Sequence, residues 1–376
     1  MTKSPDKLLD QESVKSYMSL ALSLAERGRG ETWPNPAVGC VIVNNDQIVG
    51  RGWTQPGGRP HAETMAIKQA GIRAKNASVF VTLEPCSHQG ETAPCAEAII
   101  SAGIKNVYVA CLDPDYRVSG SGLEMLRQAN IKVQSGISEK LGKNKIEGYL
   151  ARQEFGRPTV TVKLATTLDG KIATKHHQSK WITGESALAF SHMLRSKHDS
   201  IMVGSGTIIA DDPQLTCRLP GITNVRRPRI ILDGRLRLPT SSHLMSNVAE
   251  APIWLVTDNE VPEKKIMRYS RMGIEIIQLE SKSNIGFNLF SLLEVLGNRG
   301  LNSVLVEGGQ LLATSFMEAN LVDSLAWFHA PKIIGDDGLS SIGSLKVELM
   351  SQVHKYEIEY SKELNGDHLT MMRKVK

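Results

Sequence analysis

A chain of 376 residues with 41% hydrophobic content is long for one domain and carries enough apolar material for two full cores. The net charge of +5 is mild, so neither half reads as a basic nucleic-acid module. Five cysteines argue for a reducing, cytoplasmic setting rather than a disulfide framework, the polar stretch Met1 to Val14 gives no reason to expect a signal peptide, and no apolar run approaches the ~20 residues of a membrane span.

In chain order, Val38 to Val43 reads as a strand. Pro60 reads as the first residue of a helix running to about Ala70, with Gly71 as its stop. Ser78 to Leu83 is strand-like. Pro94 opens a second helix to about Ala102, stopped by Gly103, and Asn106 to Cys111 is a third strand. On this frame His61, Cys86 and Cys95 all fall at or near helix starts, where partial positive charge lowers thiol pKa.

Those three residues form the most informative pattern in the chain. One imidazole and two thiolates make a zinc site with an open fourth position, the arrangement of a catalytic rather than a structural zinc. Zinc lowers the pKa of a bound water to about 7, so a nucleophile is available at neutral pH. Glu63, two residues after His61, is placed to carry the proton from that water to a leaving nitrogen. The other cysteines read differently. Cys40 and Cys111 lie in apolar strand patterns as small buried hydrophobes, and Cys217 is isolated. His88 is read as a loop residue or substrate contact, because a fourth protein ligand would close the site.

Ser138 to Glu154 is helix-like and Gly156-Arg157-Pro158 is a turn, which puts a domain boundary near Phe155 and gives domains of 1–155 and 156–376. Thr159 to Leu164 then starts a new domain as a β-branched strand. Strand patterns follow at Ser200 to Val203, Arg229 to Asp233, Ile253 to Thr257, Ile274 to Leu279 and Ser303 to Val306, with helix patterns at Glu185 to Ser196 and Phe287 to Asn298. The alternation predicts an α/β fold with a largely parallel sheet.

Several short segments here are hard to explain by packing: Ala165 to Lys171, Gly204-Ser205-Gly206-Thr207, Asp211-Asp212-Pro213 and Glu307-Gly308-Gly309-Gln310. They fall after strands, where ligands of open α/β sheets bind. Glycines before a helix let a phosphate approach backbone N–H groups. A dinucleotide is the natural guess, although the Gly-x-Gly-x-x-Gly fingerprint is absent.

Both halves together resemble the bacterial bifunctional riboflavin-biosynthesis deaminase/reductase family. The first half matches in Pro34-Asn35-Pro36-Ala37-Val38-Gly39-Cys40, His61-Ala62-Glu63, Glu84-Pro85-Cys86-Ser87-His88 and Pro94-Cys95. The second matches in Leu168-Asp169-Gly170-Lys171-Ile172-Ala173, Ser179-Lys180-Trp181-Ile182-Thr183, Gly204 to Thr207, Asp211 to Thr216 and Glu307-Gly308-Gly309. The resemblance implies a cytidine-deaminase-like three-layer domain followed by a dihydrofolate-reductase-like domain. It implies zinc-dependent deamination of a diaminopyrimidinone bearing a ribosylamino 5′-phosphate, then NADPH reduction of the ribosyl group to ribityl.

Carried over residue by residue, the resemblance makes His61, Cys86 and Cys95 the Zn²⁺ ligands and Glu63 the proton donor. It places Ser179, Arg195, Leu215, Arg218 and Glu307 on the substrate. Arg195 and Arg218 suit the 5′-phosphate, because guanidinium binds phosphate bidentately. Ala165, Trp181, Thr207, Asp211, Gly234, Gly309, Gln310, Leu311, Leu312, Ala313, Thr314 and Ser315 fall where NADPH binds. Thr54, Asp115 and Gly234 depart from the family's usual His, Asn and Ser. Without the Ser hydroxyl, Arg235 or backbone N–H groups would have to receive the cofactor's 2′-phosphate. A homo-oligomer, dimer or tetramer, is expected, with no nucleic-acid or membrane partner. A nucleic-acid base deaminase would carry two residues, not eight, between its cysteines. A zinc-stabilised binding protein would have no use for Glu63.

Overall fold

The computed structural model describes residues 9–89, 93–115, 119–222, 227–282 and 286–375. Residues 1–8, the larger part of the polar N-terminal stretch, lie outside them. Asp10 caps α1 (Gln11–Ala25) by accepting from Ser13 N at 2.8 Å, which satisfies an amide the first turn leaves open. The helix buries Val14, Met18, Ala21 and Leu22, at helical spacing, against β1 (Gly39–Asn44) and its neighbours. Strand β2 (Gln47–Trp53) returns antiparallel to β1. There follow α2 (Ala62–Ala70), β3 (Ser78–Leu83), α3 (Cys95–Ser101), β4 (Asn106–Cys111), α4 (Ser121–Gln128), β5 (Lys132–Gln134), α5 (Glu139–Lys145) and α6 (Glu147–Phe155). The sheet order is β2-β1-β3-β4-β5, antiparallel through β3 and parallel beyond it. One sheet face packs on α2, α3 and α4, the other on α1.

Two glycines position the candidate metal centre. A Cβ on Gly50 would stand 2.3 Å from Ala66 O, and one on Gly52 would stand 2.1 Å from Ala62 O. Their absence lets α2 lie directly on β2 and carries His61 to the edge of the sheet. The helix begins later than the proline suggested. Pro60 O accepts from Gln55 N, so it serves a loop, and His61 is the extended N-cap whose carbonyl receives the helical bond from Met65 N. The helix expected over Ser138 to Glu154 is two helices. The chain turns at Ile146, which buries in the core with Tyr149.

By contact, the chain divides into Met1–Phe155 and Gly156–Lys376. The second unit contains β6 (Thr159–Thr167), β7 (Lys171–Ala173), α7 (Glu185–Ser196), β8 (Ser200–Gly204), α8 (Ser205–Asp211), β9 (Arg229–Leu232), β10 (Ile253–Asp258), α9 (Glu263–Ser270) and β11 (Glu275–Leu279). It continues with β12 (Ser281–Lys282), β13 (Gly286–Phe287), α10 (Leu289–Asn298), β14 (Ser303–Val306), α11 (Gln310–Glu318), β15 (Ser324–Ala330), β16 (Leu339–Ser340), β17 (Tyr356–Leu364) and β18 (Asp367–Lys374). The large sheet runs β11-β10-β9-β8-β14-β6-β15-β18-β17. Its strands from β11 to β15 are parallel, and β18 and β17 close it as an antiparallel hairpin that the alternation of elements did not suggest. Among the described residues no helix is long and apolar enough to cross a membrane.

Candidate active sites

In the first unit, the starts of α2 and α3 bring His61 and Cys95 together, and the segment after β3 adds Cys86. His61 Nδ1 stands 3.3 Å from Cys95 Sγ and 3.7 Å from Cys86 Sγ, and all three donor atoms lie within 4.8 Å of one another. A tetrahedral zinc with ordinary bond lengths spaces such donors roughly 3.5–3.8 Å apart, so the residues present fit the ion. Cys95 N donates to Cys86 Sγ at 3.3 Å. A hydrogen bond from the Cys95 thiol, opposed by burial and helped by His61, brings the Cys86 thiol down to about 4. Cys95, the other end of that bond and itself buried, is pushed up. Burial raises the Glu63 carboxyl to about 6, against the pull of His61. Such a pKa suits a group that must both take and give a proton near neutrality.

A cavity of about 240 Å³ lies over this cluster. Its acidic wall is Glu84, Asp113 and Asp115. Glu84 accepts from Gly120 N, Gly122 N and Leu123 N and so ties β3 to the start of α4. Tyr149 donates its hydroxyl to Asp113 Oδ1 at 2.9 Å, and burial raises the Asp113 carboxyl. Thr54, where the resemblance leads one to expect a His, accepts from Val38 N at 3.0 Å and lines the cavity. His88 also lines it, outside the three-ligand group. Cys40 and Cys111 are buried in the core, as read from the strand pattern.

In the second unit a cavity of about 830 Å³ opens where β6, β8 and β14 end. It gathers Ser179, Arg195, Leu215 and Glu307 from the expected substrate set. From the expected cofactor set it gathers Ala165, Trp181, Thr207, Asp211, Gly309, Gln310, Leu311 and Leu312. Five expected residues lie off its wall. Ala313 is fully buried one step further along α11. Thr314 receives Gly343 N, and Ser315 donates to Leu311 O. Gly234 follows β9 and its carbonyl accepts from Asp258 N and Thr257 Oγ1. Arg218 is exposed, with its backbone N donating to His192 Nδ1.

Arg195 is already paired. Its Nε and Nη2 donate to Glu307 at 2.6 and 2.8 Å, and Nη1 donates to Thr216 O at 3.0 Å. The fork expected to clasp a phosphate is occupied by a carboxylate. Both side chains are about one-tenth exposed, at 11% and 10%. Burial pushes Glu307 up, but the Arg195 charge and hydrogen bonds outweigh it and hold the carboxyl at about 2. Lys163, on the same wall, was missed by the sequence reading; burial pulls its amine down, and Phe328 lies 5.6 Å from it. A lysine facing inward from a β-branched strand is the signal that could have found it. Trp181 and Leu215, both on the wall, have φ of 54°. That left-handed conformation costs a non-glycine residue about 1–2 kcal/mol and recurs at ligand sites.

Comparison with known proteins decides the lineage. The RibD C-terminal domain profile matches residues 158–360, and the cytidine and deoxycytidylate deaminase zinc-binding region matches residues 11–111. The riboflavin biosynthesis protein RibD of Aquifex aeolicus is 42% identical over 93% of this chain and 96% of its own length. The chain belongs to the RibD family. The Escherichia coli RibD is 37% identical over 88% of this chain and 91% of its own. A solved RibD from Acinetobacter baumannii superimposes with a TM-score of 0.87 at 35% identity, covering 98% of this chain and all of that one. The diaminohydroxyphosphoribosylaminopyrimidine deaminase/5-amino-6-(5-phosphoribosylamino)uracil reductase of Thermotoga maritima does so at 0.83 and 33% identity, covering 97% and 99%. The chain is therefore a deaminase and reductase of riboflavin biosynthesis, with a cytidine-deaminase-like fold first and a dihydrofolate-reductase-like fold second. Its cofactors are zinc and NADPH.

Proposed function

We propose that residues 1–155 deaminate a 2,5-diamino-6-(5-phosphoribosylamino)pyrimidin-4-one and that residues 156–376 then reduce the ribosyl group of the product to ribityl. When bound, zinc supplies an activated water and NADPH a hydride. His61, Cys86 and Cys95 hold the metal. Glu63 takes the proton of the attacking water and gives it to the leaving nitrogen, so that one water is consumed, ammonia departs and the ring carbon becomes a carbonyl. The buried acidic wall of Asp113 and Asp115 suits a base rich in amino donors.

In the second unit the Arg195–Glu307 pair presents a rigid carboxylate to the ribotide, and Lys163 supplies a cation beside it. Arg218, whose neighbour Thr216 accepts from Arg195, takes the 5′-phosphate. Gly309 and the first turn of α11, with Ala165, Trp181, Thr207 and Asp211, hold NADPH. Five cysteines without a disulfide among them support a cytoplasmic setting, and a homo-oligomer is the expected assembly.

The observation that carries the reading is the three-ligand cluster with the buried Glu63 carboxylate on the same cavity. Purified enzyme mixed with NADPH and the diaminopyrimidine ribotide should release ammonia first and oxidise NADPH only afterwards. NADPH oxidation that precedes ammonia release would reverse the order.

A further inference from the structure

The segment Leu168-Asp169-Gly170-Lys171 stands out in the sequence, yet none of its residues lines the reductase cavity. It is engaged elsewhere. The Asp169 carboxylate accepts from Thr167 Oγ1 at 2.5 Å, Ile334 N at 3.2 Å and Gly335 N at 2.7 Å. Leu168 N donates to Lys332 O at 2.8 Å, and Ser341 N donates to Gly170 O at 2.9 Å. The loop after β15 is thereby tied to the β6–β7 turn at Lys332 itself and again just beyond it.

From that loop the Lys332 ammonium reaches back to the cavity rim. It donates to Trp181 O at 2.7 Å and to Ile182 O at 3.0 Å. A cation that gathers two consecutive carbonyls fixes the peptide planes on both sides of Ile182. It therefore also fixes the direction in which Trp181 leaves the chain. Trp181 needs such a restraint, because its φ of 54° is one that a bulky residue rarely adopts. What the restraint holds in place is an indole that lines the cavity and is 72% exposed, as Leu311 on the same wall is 83% exposed. Large apolar groups left in water on a cavity wall are surfaces a ligand covers.

We propose that Lys332 is a positioning residue for NADPH: by holding the Trp181 and Ile182 carbonyls it keeps the indole aimed over a planar ring of the bound cofactor, and Asp169 seats Lys332 for that task. This rests on the reading that Trp181 contacts the cofactor, and the test separates the two. Lys332→Met keeps the aliphatic stem and removes the ammonium. It should raise KM for NADPH about tenfold, leave kcat and KM for the ribotide within about threefold, and leave deamination and the far-ultraviolet circular dichroism unchanged. Lys332→Arg, which keeps a donor cation, should recover most of the loss.

Trp181→Ala should itself raise KM for NADPH. In that background Lys332→Met should add less than about twofold, because the group it positions is gone. Losses that multiply in the double variant would show that Lys332 does not act through Trp181 and would overturn the proposal. So would a Lys332→Met enzyme with normal KM for NADPH beside an impaired Trp181→Ala enzyme. Normal KM in Trp181→Ala would remove the underlying reading as well.

Discussion

The two sites are built on opposite plans. The first unit's cavity is small, about 240 Å³, and is lined by His61 and Cys86, with Cys95 buried beside them, a cluster delivered by two helix starts and the segment after one strand. The second unit's cavity is more than three times larger, about 830 Å³, and takes its walls from short pieces between Lys163 and Leu339. A metal site needs particular donor atoms at close spacing, so it tolerates few residue types. A dinucleotide and ribotide site is made largely of backbone N–H groups, glycines and apolar rims, which many sequences can supply. The first plan concentrates function in few side chains. The second spreads it. Substitutions should therefore fall hard on one unit and in graded steps on the other.

The sharpest break between the units is Glu63→Gln. Loss of a general acid–base group lowers a rate by about 10²–10⁴-fold, and deamination should fall by that much. Zinc content, read by elemental analysis, should be unchanged, since His61, Cys86 and Cys95 remain. Reduction of pre-deaminated substrate should match the unsubstituted enzyme. Cys86→Ser should depress deamination at least as far and take the zinc with it. A parallel loss of reductase activity in Glu63→Gln would mean that the two sites are not independent.

The same contrast explains what the sequence made legible. The clustering of His61, Cys86 and Cys95 with Glu63 nearby was readable because proline-flanked His and Cys at helix starts have few other uses. Strands at Ser78–Leu83, Asn106–Cys111 and Ser303–Val306 and the helix Glu185–Ser196 match their reading residue for residue, because apolar periodicity and flanking glycines mark them. Tyr149 and Arg152 escaped notice because they reach the deaminase cavity from a helix far along the chain. The Arg195–Glu307 pairing could not be read either. The two are 112 residues apart and adjoin only because β14 pairs with β8 beside α7. Lys332 carries no local pattern, and its role appears only through the carbonyls it meets.

Within the second unit the largest effect should come from breaking that pair. Removing one partner of a buried ion pair typically costs about 3–5 kcal/mol, so Arg195→Met should lower the unfolding free energy of residues 156–376 by that order. The acid dependence gives a second handle. Glu307 is held at about 2 in the folded enzyme, below its ordinary 4.5, so the stability it contributes is fully present above pH 4.5. It is lost as the pH falls through 2. Denaturant titrations at several pH values should show that loss in the unsubstituted enzyme and a flatter acid limb in Arg195→Met. Equal slopes in both would mean that the pair carries little of the stability.

Arg218→Ala should be milder and purely kinetic. The side chain is exposed, so its loss leaves no buried partner stranded. One lost hydrogen bond to a charged group is worth ~1.5–3 kcal/mol. Reductase kcat/KM should therefore fall by about tenfold to a few hundredfold at 1.4 kcal/mol per decade. Deamination and KM for NADPH should barely change. Steady-state kinetics on a substrate lacking the phosphate would sharpen the point, since the unsubstituted enzyme and Arg218→Ala should then perform alike.

The smallest effect tests where this chain departs from its family. Gly234 stands just after β9, next to Asp233, where the resemblance leads one to expect a Ser. A Cβ there would meet Phe287 Cζ at 3.5 Å, an ordinary contact, and the residue has no left-handed φ to protect. A side chain is therefore not excluded at its Cβ. Gly234→Ser should fold with stability within about 0.5 kcal/mol of the parent. If the 2′-phosphate of NADPH lies near this turn, the new donor adds one hydrogen bond, whose net worth is typically 0.5–1.5 kcal/mol. NADPH should then gain about two- to tenfold over NADH in kcat/KM, while KM for NADH stays put, because NADH has no group for the hydroxyl to meet. A gain for both cofactors alike would point to a general tightening of the turn, and no gain for either would place the 2′-phosphate away from β9.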